Sequence, residues 1–458
     1  MSDVQNKTLW QAILEYDLDD PPTEYSFSIR LATENFWTSD FTDRAILEYK
    51  KFMYLAATSD RMVSPSEIVD AVWHQHLVFT QSYQDFCTRL GKPIQHVPST
   101  HSREEADRFK KAREHTRKLY AENFGEPPHD IWECTSMFDS LNLPKAEWKI
   151  RSAILAAILT FFVLLVPCYS LLEPLYRKIP NPDFLIGWTI VTGIAFLLLY
   201  TFSISQLKKD AMQFKARSFI HRLTPFELIY LKQQLLRPVI TAVVNSLIRK
   251  SIIQIAPNDK LAIQRQGITK PREFQQALNE LSLLKEANYL LLSTRLMSKP
   301  CFLAIQNSMG ALKKYYHKSK RFAGLFYFNL TILGLLLMGA TIRLITGLVH
   351  QKPVDLIITF VFLLVCLIIL FLYRLTQMMC TQIIPNIYRS KVTNDPNLKS
   401  DSNWSYFLFG TSALVTGFVP LVKAVDRSGG DSAVTSSDSS CGSSCGSSCS
   451  SCGGCGGD

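Results

Sequence analysis

Four apolar runs dominate the hydropathy pattern: Ser152–Leu172, Phe184–Gln206, Phe322–Thr341 and Val354–Tyr373. Each is close to the ~20 residues that an α-helix needs to cross about 30 Å of hydrocarbon. None carries a basic residue in its interior, and the one acidic residue, Asp355, sits at an end. Tyr169, Trp188, Tyr200, Tyr327 and Tyr373 lie toward the ends, where amphipathic rings prefer the interface. Short connectors, Leu172–Asp183 and Ile342–Pro353, make two membrane hairpins of the four. A fifth run, Trp404–Val422, is diluted by Ser405, Gly410, Thr411, Ser412, Thr416, Gly417 and Pro420. It is expected to lie at the interface or peripherally rather than to span.

Outside these runs the apolar spacing is that of helices. Phe41–Ala57 places Ala45, Leu47, Phe52, Leu55 and Ala56 near one face. Ser64-Pro65-Ser66-Glu67 then opens a helix expected to reach Leu90 and stop at Gly91. Arg103–Asn123 is a third, ending at Gly125 before Pro127-Pro128. Between the second and third apolar runs, Thr224-Pro225-Phe226-Glu227 is another capped start, and Arg237–Lys250 is amphipathic. Ser251–Ala256, the turn Pro257-Asn258-Asp259 and Lys260–Gln264 read as a β-hairpin. Helix, helix and hairpin in this order resemble a winged helix-turn-helix. The tail Ser428–Asp458 is almost wholly Ser, Gly and Cys and cannot bury a core, so disorder is expected.

The fold class is therefore mainly α. A cytoplasmic helical domain (1–148) precedes a polytopic α-helical membrane region made of hairpins 149–206 and 322–374. A winged-helix-like cytoplasmic loop (207–321) is inserted between them, and a cytoplasmic or interfacial segment (375–427) leads to the disordered tail (428–458).

Charge adds an orientation. Residues 1–150 hold 17 basic and 24 acidic side chains, whereas residues 151–458 hold 32 and 15. The segment Leu207–Arg321 alone carries 21 Lys/Arg against 6 Asp/Glu, clustered at both ends. The two short connectors carry only Arg177, Lys178, Arg343 and Lys352. The positive-inside rule places the long loop and both termini in the cytoplasm of a bacterial inner-membrane protein. The acidic, polar N-terminus lacks a basic n-region and an apolar h-region, which agrees with a first domain that is not exported. Arg249 and Lys250 make the winged-helix-like loop basic enough to touch phosphate, but the excess is explained by topology, so nucleic acid is not expected as a partner. With no ionisable group in mid-membrane, the crossings read as an anchor and not as a transport path.

Candidate chemistry is confined to two places. On and after the second helix stand Asp70, Trp73, His74, His76, Tyr83, Cys87 and then His96. Asp70 and His74 are four apart and share a face. His74 and His76 point roughly 200° apart, so a metal would need one of them together with His96 or another segment. The competing reading has Trp73, Leu77 and Tyr83 packing the core while the histidines hydrogen-bond backbone or carboxylates. The second place is the tail, where Cys441, Cys445, Cys449, Cys452 and Cys455 step by 4, 4, 3 and 3. Flexible spacers allow several thiolates to converge on Zn²⁺ or Cu(I), yet the paired CxxC…CxxC of a folded zinc module is absent. Thiol modification or a passive solvated tail are the other readings.

Two resemblances follow. Phe27-x-x-Arg30-Leu31-Ala32-x-Glu34-Asn35, Glu48-Tyr49-Lys50-x-Phe52, Val63-x-Pro65-Ser66-x-x-Val69-Asp70-x-x-Trp73-His74-x-His76-Leu77 and His96-x-Pro98-x-x-His101 resemble the bacterial glycine-rich domain-containing protein family over about residues 26–134. Where relatives often carry a His-His pair this chain has Gln95-His96, and a glycine pair near His101 is missing. The resemblance implies binding or signalling rather than chemistry. Leu223-Thr224-Pro225-Phe226-Glu227-Leu228-x-Tyr230-Leu231, Lys352-Pro353-Val354, Phe409-Gly410-Thr411 and the Gly/Cys tail are similar to a bacterial membrane-protein family with low-complexity C-termini, over about 150–458. That resemblance implies only a cell-membrane protein.

The expected function is a non-enzymatic, membrane-anchored binding or scaffold protein that takes a protein partner through the N-terminal domain or the loop. The alternatives are a metal- or redox-responsive membrane sensor using the cysteine tail and a metal-dependent hydrolase using the histidine set.

Overall fold

The computed structural model describes residues 6–21, 23–97, 103–215, 217–265 and 271–430. The protein is mainly helical. Its first part contains α1 (Lys7–Glu15), α2 (Phe27–Asn35), α3 (Ser39–Thr58), α4 (Glu67–Val78), α5 (Thr80–Leu90), α6 (Arg103–Phe124) and the short α7 (His129–Trp132). The predicted helix to Leu90 is two helices. Phe79, at φ −89° and ψ 64°, leaves helical geometry and turns the chain between α4 and α5. Ser66 caps α4 by accepting from the Val69 amide, and Gly91, at φ 70°, closes α5 in the left-handed conformation that costs glycine least. A buried carboxylate ties three of the helices together. Glu48 of α3 accepts from Lys51 at 2.7 Å, from the Tyr120 hydroxyl of α6 at 2.7 Å and from the Trp132 indole of α7 at 2.8 Å.

Four helices are long and apolar enough to cross a membrane: α8 (Ile150–Tyr176), α9 (Asn181–Met212), α15 (Lys320–Val349) and α16 (Asp355–Met378). They support membrane association. Each overruns its apolar run, and the overrun corrects one expectation. Arg343 was assigned to an outer connector, but it lies within α15 and is only 1% exposed. Its guanidinium donates to the Tyr176 carbonyl, to the Ile179 carbonyl at 2.6 Å and to Asn181 Oδ1 at 2.7 Å, over the Phe184 ring. An arginine is tolerable there because carbonyls at the end of α8 and in the following turn supply the solvation that lipid cannot. Beside it, His350 meets Glu173 at 2.8 Å.

Between the two hairpins lie α10 (Pro225–Gln233), α11 (Arg237–Arg249), β1 (Ile253–Ile255), β2 (Lys260–Ile263), α12 (Arg272–Leu284), β3 (Glu286–Asn288), α13 (Tyr289–Met297) and α14 (Pro300–His317). The hairpin forms in the predicted place, with Gln254 opposite Ala262, and β3 joins it antiparallel as an unpredicted third strand. After α16 come a π-turn (Met379–Ile383), α17 (Ile384–Asn394), α18 (Pro396–Ser400), α19 (Ser402–Phe409) and α20 (Val419–Gly430).

The stretch expected at the interface or peripherally packs on the body between the hairpins. Tyr406, Phe407, Ala413, Leu414, Phe418, Leu421 and Val422 are buried in the same core as α10, α11 and α13. Asn245 of α11 donates to the Ala413 carbonyl and accepts from the Val415 amide. Gly410, Thr411, Ser412, Thr416 and Gly417 lie at or beside the break between α19 and α20, across which the chain bends by 59°. Most of its apolar side chains are buried against protein, while Phe409 stays exposed.

The parts before and between the membrane hairpins also share one core. α2 packs on α14, and charged pairs stitch the seam. Arg272 meets Asp43 at 2.5 Å, while Lys299 meets Glu24 at 3.0 Å and Glu280 at 2.8 Å. Glu227 bridges the two parts, accepting from the Ser39 amide at the start of α3 and the Thr224 amide before α10.

Candidate functional site

Asp70 and His74 occupy successive turns of α4, on the face turned away from the core. His96 arrives from the segment that follows α5, and a relay of hydrogen bonds holds that segment in place. The Trp73 indole donates to the Tyr83 hydroxyl at 3.0 Å, and that hydroxyl donates to the Ile94 carbonyl at 2.5 Å. The His96 ring then rests edge-on against Trp73, with centroids 4.6 Å apart. Thus Trp73 and Tyr83 position the third candidate side chain.

The three groups converge. His74 Nε2 lies 2.9 Å from His96 Nε2, His96 Nε2 lies 3.0 Å from Asp70 Oδ1, and His74 Nε2 lies 3.6 Å from Asp70 Oδ2. Bonds of about 2.0–2.1 Å to a tetrahedral ion would hold such atoms roughly 3.3 Å apart. The protons alone fit poorly. Two imidazole nitrogens facing at hydrogen-bond distance need one hydrogen between them, and a hydrogen on His96 Nε2 cannot point at both His74 and Asp70. Two neutral imidazoles and one carboxylate form a borderline donor set that suits Zn²⁺ and its neighbours, and a fourth position would remain open. His74 is 59% exposed, Asp70 34% and His96 18%, so the site faces solvent. It opens on a cleft of about 550 Å³ lined also by Ser66, Glu67, Gln95, Arg108 and Arg113.

His76 does not belong to this set, although its sequence made it a candidate. It is fully buried, with Nδ1 at 2.8 Å from the Tyr49 hydroxyl and Nε2 at 3.1 Å from Ser82 Oγ. Burial pushes its pKa down to about 4, so it is a neutral core residue at physiological pH. The two-residue spacing from His74 turns it to the opposite face. Cys441, Cys445, Cys449, Cys452 and Cys455 lie outside the described residues.

Sequence reasoning missed the buried roles of Glu227 and Arg343. Glu227 carried a local signal, the Thr-Pro-x-Glu capping pattern, but nothing nearby announces its second partner, Ser39. Arg343 looked like the polar end of an apolar run because its carbonyl partners are distant in sequence.

Residues 31–121 match a family model described as UCP032817-like, a stretch that runs from α2 into α6 and contains Asp70, His74 and His96. No curated protein and no solved structure matches the chain. The convergent Asp70, His74 and His96 thus fall inside the stretch that matches this family model.

Proposed function

We propose that the protein is a non-enzymatic, membrane-anchored binding protein whose ligand at Asp70, His74 and His96 is a divalent transition metal, with Zn²⁺ the best match to the donor set. The observation that carries this reading is the approach of three ligand atoms from two chain segments to within 3.6 Å of one another. The helical bodies face the cytoplasm of a bacterial inner membrane with both termini inside, a reading supported by the basic ends of residues 207–321. The burial of Val239 to Leu247 of α11 supports a packing role for the winged-helix-like order of residues 224–263 over nucleic-acid binding.

The test is elemental analysis of the purified full-length chain with its five tail cysteines replaced by serine, which separates this site from the tail. One Zn²⁺ per chain is expected, lost in Asp70→Ala, His74→Ala and His96→Ala and kept in His76→Ala. Substoichiometric metal in the parent, or equal content in all four variants, would reject the assignment. The open fourth position above a cleft carrying Glu67 favours one second reading, metal-activated hydrolysis. Hydrolysis of a generic ester that requires both Zn²⁺ and Glu67 would support it.

A further inference from the structure

A second cavity, of about 450 Å³, lies where the first helical body meets the chain leaving α9. Its basic lining comes from three separate elements: Arg44 of α3, His129 of α7, and Lys215, Arg217 and Arg222 beyond α9. Arg44 is already neutralised by a two-pronged pair with Asp130, at 2.6 and 2.7 Å. Lys215, Arg217 and Arg222 make no ion pair among the described residues, while Glu126 is the other carboxylate on the wall. Asp40 lies close enough to Arg222 to feel its charge, but it does not line the cavity. The cavity therefore carries a net positive lining, Arg44, Lys215, Arg217 and Arg222 against Asp130 and Glu126, with guanidinium groups suited to phosphate oxygens.

Its height above the bilayer follows from the chain. The apolar part of α9 ends at Gln206, and the helix continues to Met212, about 9 Å further at 1.5 Å per residue. The headgroup layer is roughly 5–7 Å deep on each side. Lys215 and Arg217, three and five residues beyond Met212, thus follow closely on the membrane-length helix. A second stretch of chain ties the cavity to the start of α15: Ser140 lines it, and Pro144, four residues on, accepts from the amide of Lys320, the first residue of that helix.

We infer that this cavity is a binding site for a phosphate-bearing anion, with Arg217 and Arg222 as its main ligands and the headgroup of an anionic phospholipid as the source that its position favours. A soluble phosphate presents the same oxygens, and the experiment separates the two.

Full-length protein in neutral detergent would be analysed by native mass spectrometry with added phosphatidylglycerol, with phosphatidylcholine, and with inorganic phosphate as competitor. One phosphatidylglycerol per chain should be retained at least tenfold more than phosphatidylcholine. Arg217→Gln/Arg222→Gln should remove that preference, whereas Lys208→Gln/Lys209→Gln, on the neighbouring basic collar, should keep it. All four side chains are solvent-facing or flank the span, and matched melting profiles would show that the variants fold. If millimolar phosphate displaces the lipid and itself binds with the same arginine dependence, the anion site stands and its source is soluble. Equal retention of the two lipids, no change in the arginine variant, or an equal loss in the lysine variant would overturn the proposal.

Discussion

His76 and Glu227 are buried titratable residues whose pKa values are moved in ways that act oppositely on stability. Burial holds His76 neutral down to about pH 4 from an ordinary value of 6.5. As pH falls below 6.5 the unfolded chain gains a proton that the folded chain refuses, so stability present above 6.5 is lost toward pH 4. Glu227 is pushed up to about 7 by burial, against the pull of the two amides it accepts from. Its contribution is full below about 4.5 and is lost as pH rises through 7. Each shift corresponds to roughly 3 kcal/mol at 1.36 kcal/mol per pKa unit, so between pH 4.5 and 6.5 the two slopes largely cancel. Melting of the full-length protein across pH should expose them separately. Glu227→Gln should gain stability relative to the parent as pH rises from 4.5 to 7, and His76→Gln should gain relative to it as pH falls from 6.5 to 4. Profiles parallel to the parent would show that neither group titrates as described. At pH 7, His76→Ala should cost about 1–3 kcal/mol, because it orphans the buried Tyr49 hydroxyl. The opposite facing of His74 and His76 was legible from spacing alone. The role of Glu227 was not, since Ser39 is 188 residues away.

At the scale of elements, local rules read most of the helices and failed where a distant partner decides. The capped start at Thr224 and the stop at Gly91 stand where the sequence pattern placed them, whereas the cap before α4 is Ser66 rather than Ser64, so that Pro65 lies outside the helix. Thr224 and Glu227 form a reciprocal capping box, so Thr224→Ala should lower the melting stability of the full-length protein by about 1 kcal/mol. An unchanged melt would mean that Glu227 alone holds the helix start. The turn at Phe79 was not legible, because no glycine or proline marks it. It lets α5 fold back so that Phe86 and His76 share a core, with ring centroids 5.4 Å apart. Within the membrane helices the informative residue is small. Gly339 of α15 lets the Trp188 indole of α9 lie against its backbone, where an added Cβ would overlap the ring. Gly339→Ala should therefore separate α9 from α15 at a cost of roughly 1–3 kcal/mol. Gly334→Ala, on the same helix with open space around it, serves as the control and should be near neutral. Equal melting of the two variants would remove the special role of Gly339.

For the whole molecule, the charge imbalance between the two halves has two separable causes. Part of it is docking: Arg272 and Lys299 are paired with carboxylates of the first helical body, so they report an interface within the chain. The remainder flanks the membrane helices. Lys208 and Lys209 stand in the last turns of α9 and Lys215, Arg217 and Arg222 follow it, while Lys313, Lys314 and Lys318 precede α15 and Lys320 and Arg321 open it, all within the ~15–20 residues that influence orientation. Sequence composition could not divide these groups, because the seam between the two bodies exists only once α2 lies on α14. With the docking residues set aside, the flanking cations still outnumber those of the connectors, and Arg343 drops out of the outer count because it is buried. The expected topology is thus sharper than the raw totals suggest. It can be read with single cysteines in a background from which the eleven native cysteines have been removed. Met212, which is 76% exposed at the end of α9, and Gln351, exposed in the second connector, are the positions to use. Leu207 is fully buried and would stay unlabelled on either side. A membrane-impermeant maleimide should label Gln351→Cys in intact cells and reach Met212→Cys only after permeabilisation. Labelling of Met212→Cys from outside would invert the molecule and place the metal site and the basic cavity on the opposite face of the membrane.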